Sequence, residues 1–262
     1  GGDEIFAGYP WRYYRAVKND DAAQYIDKYY AYWQRLIPDS HRSSFFQPGI
    51  AAHMPAGHAE SSFRHVLRRR SFLAMGPDDY VNTSLYFELS TFLHGLLLVE
   101  DKLSMAHGLE TRVPFLDNDL VDFALRVPVK YKLKHVDRIV RMDENTPGPK
   151  GQQYFNETGD GKLILRKALW RYVPQGYANG RKQGFSAPDA SWFKGDSIDY
   201  IRRLLSAKDA RLYEFLDPHT VHALLEEHMS GHVNHRLMIW SLLCFEWWLR
   251  RFRDGAALAR AA

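Results

Sequence analysis

One cysteine, Cys244, occurs in 262 residues, which excludes a disulfide within the chain and makes a reduced, cytoplasmic setting the default expectation. No apolar run approaches the ~20 residues that a membrane-crossing helix needs, and nothing in the first residues reads as a secretory signal. Charge of one sign is scarce: the formal net charge is only +4, which permits anionic ligands such as nucleotides and says little more. The densest basic clusters, Arg68-Arg69-Arg70 and Arg250-Arg251 with Arg253, are short. They read as solvated helix ends rather than the concentrated basic face that nucleic acid requires. Metal-ligand spacing is missing as well. His219, His222, His228, His232 and His235 include no His-Glu-x-x-His, and the His228/His232 pair runs across Gly231, so exposed or core histidines are expected. Gly159-Asp160-Gly161-Lys162 is not a phosphate loop, because its first glycine is misplaced and Leu163 stands where a Mg²⁺-binding Ser or Thr belongs. There is no internal repeat.

What is present is an ordinary globular composition, 45% hydrophobic and 25% charged, in a chain long enough for one large domain or two small ones. Apolar spacings of three and four dominate, so the class is mainly α. Residues 11–36 carry Tyr13, Tyr25, Tyr29, Tyr32 and Trp33 at helical spacing and predict core-facing helices. Further helices are expected over residues 61–73 and 77–93, and from Leu163 to near Pro174. Another should run from the Asp217-Pro218 cap to Gly231. The last, residues 235–250, is apolar almost all round and is expected to be buried. Residues 38–57, rich in Pro, Ser, Gly and His, read as a surface loop. Residues 135–160 read as a mobile loop and the tail from 255 as frayed.

The densest patterning lies between Asp101 and Asp117. Leu96, Leu97, Leu98, Val99, Leu103 and Met105 give a helical apolar run that Gly108 ends. Pro114 biases Val113 to an extended conformation, so Glu110 and Arg112 project to one side of a charged elbow held against a buried wall. Asp117 suits the cap of a helix from Asn118 to Val127, closed by Pro128. Taken alone, Glu110 and Arg112 could be no more than an exposed ion pair worth about 0–1 kcal/mol.

The run Asp-Lys-x-Ser-Met-Ala-x-Gly-Leu-Glu-x-Arg-Val-Pro-Phe-Leu-Asp across this elbow resembles the signature of the glutamine-dependent asparagine synthetases, in the synthetase half of the enzyme. Two further stretches carry the same resemblance. Gly1-Gly2-Asp3-Glu4-Ile5-Phe6-Ala7-Gly8-Tyr9 is a glycine loop running into a capped helix start, where backbone N–H groups can meet a phosphate. A capped helix alone would need the same residues. Gly176-Tyr177-Ala178-Asn179-Gly180-Arg181-Lys182-Gln183-Gly184-Phe185-Ser186-Ala187-Pro188, followed by Trp192, is a glycine-rich basic loop able to close over a polyphosphate, or simply a solvated surface loop. Trp240, Leu242, Glu246 and Trp248 also match the family's final helix.

The resemblance implies the helical C-terminal portion of an α/β adenine-nucleotide hydrolase-like domain (the PP-loop ATP pyrophosphatase type), spanning residues 1–254, with the parallel-sheet half largely missing. It implies ATP and Mg²⁺ as cofactors, Asp3 as the Mg²⁺ ligand, and Gly1, Gly2, Arg181 and Lys182 at the ATP and pyrophosphate groups. Lys182 would neutralise phosphate charge during adenylation, and Lys102, Glu110 and Arg112 would shape the substrate pocket. The implied activity is that of a carbon–nitrogen ligase that adenylates the aspartate side chain and adds ammonia drawn from glutamine by a glutaminase domain absent here. A homodimer is possible; neither nucleic acid nor membrane is expected as partner. The chain begins at Gly1 without a methionine and lacks the family's Ser-Gly-Gly-x-Asp-Ser loop, so it reads as a fragment or processed chain, catalytically silent alone. Related ligases that close β-lactams or lasso peptides, and a helical interaction module without chemistry, remain as alternatives.

Overall fold

A computed structural model describes residues 1–14, 21–69, 76–134, 161–180 and 197–253. Helices dominate, and among the described residues the only β pairing is two isolated antiparallel bridges, Phe46 with Leu216 and Leu133 with Gly161. No helix there is long and apolar enough to cross a membrane. The chain divides into two compact units.

In the first unit, residues 1–33, 59–134 and 161–180, the Pro77–Ser90 helix is the axis. Gly76 and Pro77 open it, with the Gly76 N–H donating to Asp79 Oδ2 at 2.9 Å. Apolar groups on several of its sides explain why it is enclosed. Tyr80 and Phe87 meet Tyr25, Tyr29, Tyr32, Phe63 and Leu67, with the Tyr25 and Tyr80 rings stacked 4.7 Å apart. Val81 and Leu85 meet Ala7, Tyr13, Val129 and Leu133. The Ala22–Trp33 helix supplies its tyrosines at the spacing read from sequence.

That axial helix does not run on to Leu93 as expected. It stops at Ser90, because Thr91 leaves the helical region (φ −125°, ψ −69°) and its hydroxyl donates to the Phe87 carbonyl at 2.7 Å. A second helix, Phe92–Ala106, then carries the leucine run to Gly108, which takes φ +66°. Its apolar stripe is open to solvent: Leu96, Leu98, Val99, Leu103 and Met105 are each at least 46% exposed.

The second unit comprises residues 34–58 and 197–253 among those described. Ile201, Leu205, Leu212, Val221, Leu225, Ile239, Leu242 and Leu249 form its core. Asp217 caps the Pro218–Ser230 helix through the Thr220 N–H at 2.8 Å, and Gly231 ends it at φ +83°, as the sequence predicted. Two expectations need correction. Residues 38–57 are not a plain surface loop: they form the short helices Arg42–Phe45 and Pro48–His53, and Phe45 enters the core. Gln47 Nε2 donates to the Tyr213 and Leu216 carbonyls, which ties the segment down. The final helix, Arg236–Trp248, is buried on one side only. Met238, Ile239, Leu242 and Leu243 face inward, while Trp240, Trp247 and Trp248 are exposed. Its buried Glu246 accepts from the Arg211 and Leu212 N–H groups and from Arg250 Nε, which anchors the Arg211–Glu214 turn.

Candidate functional site

The glycine-led opening folds into a single helical turn, Gly2–Ile5, and then doubles back. The Gly8 N–H reaches the Asp3 carbonyl at 2.7 Å. Ala7 takes φ +58° to make that reversal. Gly8 is demanded by space: a Cβ there would lie 2.0 Å from Asp3 Oδ1. The two neighbouring carboxylates part company. Glu4 is buried and accepts from the Tyr9 hydroxyl at 3.1 Å, and burial followed by Glu4 raises the Tyr9 pKa far above its usual value. Asp3 stays 24% exposed, and its Oδ1 forms an ion pair with Lys162 Nζ at 2.7 Å.

Lys162 arrives by an equally tight route. Gly161 bridges Leu133, and a Cβ on Gly161 would sit 2.3 Å from the Ala7 carbonyl oxygen. The Lys162 N–H donates to the Phe6 carbonyl at 3.0 Å, and the next N–H, of Leu163, to the Lys132 carbonyl at 3.2 Å. Lys162 is left-handed, φ +57° and ψ 35°. With Ala7 it makes up the positive-φ non-glycine residues of the described chain, and the two meet at one backbone crossing. Left-handed backbone at residues other than glycine is uncommon. Lys132 beside it is buried, and burial pushes its ammonium pKa down to about 8.

The elbow meets this region through apolar side chains, not charge. Gly1 faces Leu116, with 2.8 Å left for a Cβ, and Gly2 faces the Phe115 ring at 3.3 Å. The two glycines therefore admit the Pro114–Leu116 turn, which accounts for them structurally. Asp117 caps the Asn118–Arg126 helix by accepting from the Asp119 and Leu120 N–H groups, as expected. The buried wall is not found. Glu110 and Arg112 are 66% and 78% exposed and pair with each other, and Lys102, 74% exposed, lies beside Asp101. The substrate-pocket residues read from sequence are thus at the surface of the described chain, since the leucines expected to back them are themselves exposed.

Arg181 and Lys182 lie outside the described residues, but the root of their loop does not. Gln175–Ala178 is a short helical turn. Arg166, from the Leu163–Leu169 helix, donates through Nη1 to the Ala178 and Gly180 carbonyls at 3.1 and 3.4 Å, and through Nε to the Gly161 carbonyl at 3.1 Å. One guanidinium thus joins the base of the lysine loop to the residue preceding Lys162. The mobile loop expected over 135–160 and the tail from 255 also fall outside the described residues.

Sequence reasoning missed two features. Lys162 was seen only as part of a failed phosphate loop, and no sequence signal marks a left-handed lysine. Behind it lies a buried polar knot in which Glu88 accepts from Arg12 Nη1, from the Tyr13 hydroxyl and from the Tyr29 hydroxyl. Burial pushes the Glu88 carboxyl up to about 7, with Arg12 and Tyr13 opposing. A charged pair split between an aromatic-rich helix and an apolar one was the available clue. As for a metal, no cluster of three or more His, Cys, Asp or Glu able to hold one occurs among the described residues. A single carboxylate, Asp3, suits Mg²⁺, which commonly takes one or two protein carboxylates and completes its shell from water and phosphate.

With this geometry in view, comparison with known proteins is direct. The Asparagine synthase family model matches residues 1–250, and the chain belongs to that family. It is 30% identical over 169 residues to asparagine synthetase (glutamine-hydrolyzing) 1 of Bacillus subtilis (strain 168), covering 64% of this chain and 23% of that protein. To asparagine synthetase (glutamine-hydrolyzing) 3 of the same organism it is 25% identical over 236 residues, 87% of this chain and 32% of the relative. It is also 27% identical over 139 residues to Amidase chyE of Penicillium rubens, 52% of this chain and 18% of that protein. The chain spans under a third of the length of these relatives.

Proposed function

We propose that this chain is the helical part of an ATP-dependent, amide-forming ligase of the asparagine synthetase type, and that its substrate carboxylate is the aspartate side chain. The observation that carries the reading is the Arg166 bridge, which puts the stem of the Lys182 loop on the same backbone crossing as Asp3. In the reaction, a carboxylate oxygen attacks the α-phosphorus of ATP and the bond to pyrophosphate breaks. Ammonia released from glutamine then attacks the acyl carbon, and AMP leaves. The protein's task is to align two anions and to neutralise charge as it moves onto pyrophosphate. Lys182 and Arg181 supply cations for that purpose; Gly1 and Gly2, whose Cα faces pack on Leu116 and Phe115, offer the nucleotide only their backbone. Asp3 would hold Mg²⁺, whose charge would shield the phosphates. The open leucine stripe of the Phe92–Ala106 helix, together with Leu109 and Phe115, is where the parallel-sheet half of the synthetase domain packs.

The test is Lys182→Ala in the full-length protein that contains this chain, assayed by glutamine- and aspartate-dependent pyrophosphate release. We expect kcat to fall about 10²–10³-fold, as for removal of one group that stabilises developing charge, with folding unchanged. An unaltered rate would remove the ligase reading and leave a helical interaction module. Identities of only 25–30% to the asparagine synthetases support a second reading, a related adenylating ligase acting on another carboxylate. Pyrophosphate release across a panel of carboxylates separates the two.

A further inference from the structure

The ion pair between Lys162 and Asp3 has a consequence for how the site is loaded, and it rests on the reading of Asp3 as a Mg²⁺ ligand. An ammonium sits 2.7 Å from Asp3 Oδ1. A divalent cation on the same oxygen would stand about 2.0–2.1 Å from it, so two positive charges would crowd one carboxylate. Neither side has room to yield easily. Gly8 closes over Oδ1, with space for a Cβ only 2.0 Å away. Lys162 is pinned by its own N–H on the Phe6 carbonyl and by the Gly161–Ala7 approach. What can move is the lysine stem, which has four carbons and is 27% exposed at its surface side. We propose that Lys162 is a resident cation that occupies the metal's seat on Asp3, and that divalent-cation binding displaces its ammonium from the carboxylate. The left-handed backbone at Lys162 is the strain that holds the stem over Asp3. The lysine thereby keeps Asp3 neutralised in the absence of metal-bound nucleotide and opposes binding of the bare ion.

The experiment is Mn²⁺ binding to the protein without nucleotide, read as loss of the free-ion electron paramagnetic resonance signal. The variants are Lys162→Asn and Lys162→Gly, both tolerant of positive φ, with circular dichroism to confirm folding. We expect Mn²⁺ to bind about tenfold more tightly in each. An unchanged or weaker affinity in folded Lys162→Gly, while Asp3→Asn abolishes binding, overturns the proposal and leaves Asp3 as the ligand. Mn²⁺ binding that survives Asp3→Asn removes the metal reading of Asp3 and this inference together. Pyrophosphate release by Lys182→Ala decides the ligase reading independently of either.

Discussion

The elbow and the Asp3 turn carry ion pairs of opposite character. Glu110 and Arg112 are two positions apart, both exposed, and each is reached through a mobile side chain in water. Asp3 and Lys162 come from distant parts of the chain, are about three-quarters covered, and are fixed by glycines on both sides. A pair of the first kind contributes about 0–1 kcal/mol. A pair of the second kind is set by backbone packing, and what it does is determined by geometry more than by its Coulomb energy. The longest family-like run in the sequence therefore marks a surface, while the strained and charged crossing lies where the sequence signal was weakest.

The sharpest way to widen the contrast is to go deeper than Asp3. Replacing Glu88 with Ala removes one buried carboxylate from Arg12, itself buried beneath Tyr9 and Phe92. We expect a loss of about 3–5 kcal/mol in chemical unfolding, and a loss under 1 kcal/mol would mean the knot is not a structural anchor. Next comes Gly8→Ala, which forces Asp3 aside and is expected to cost about 1–3 kcal/mol, as other overpacked sites do. The double variant with Asp3→Ala should recover part of that cost, a coupling measurable in a double-mutant cycle. A pH-dependent effect of similar size belongs to Lys132. Its folded pKa of about 8 lies below the unfolded 10.5, so its contribution is present above 10.5 and is lost as pH falls through 8. Stability measured from pH 8 upward should rise in the parent and flatten in Lys132→Met. Smallest of all, Glu110→Ala with Arg112→Ala should shift stability by less than about 1 kcal/mol. A larger loss would mean that the elbow's charges meet a partner.

Much of the local architecture was legible. Gly108, Asp117, Asp217 and Gly231 act within a turn of the residues they punctuate, so helix ends could be placed from sequence. Depth could not. The leucine stripe before Gly108 has the pattern of a core helix, yet what covers a stripe is a tertiary matter, and in the described chain it is open. The same limit hid Phe45, whose Pro- and Ser-rich neighbourhood suggested solvent although the ring enters the second unit's core. At the candidate site, the helical turn that holds Asp3 was legible because a short acidic start to a helix is a recognisable pattern; its proposed role came from the family resemblance alone. The partner of Asp3 was not legible, since only the crossing of two backbones brings position 162 to position 3.

Gly8, Asp3, Lys162 and Gly161 interlock so closely that substitutions among them should be energetically coupled. A lengthened acid at position 3 would overshoot its cation, and a side chain at 8 or 161 would pry the strands of the crossing apart. Variants gathered by random mutagenesis should reveal these four as a block that changes together or stays still.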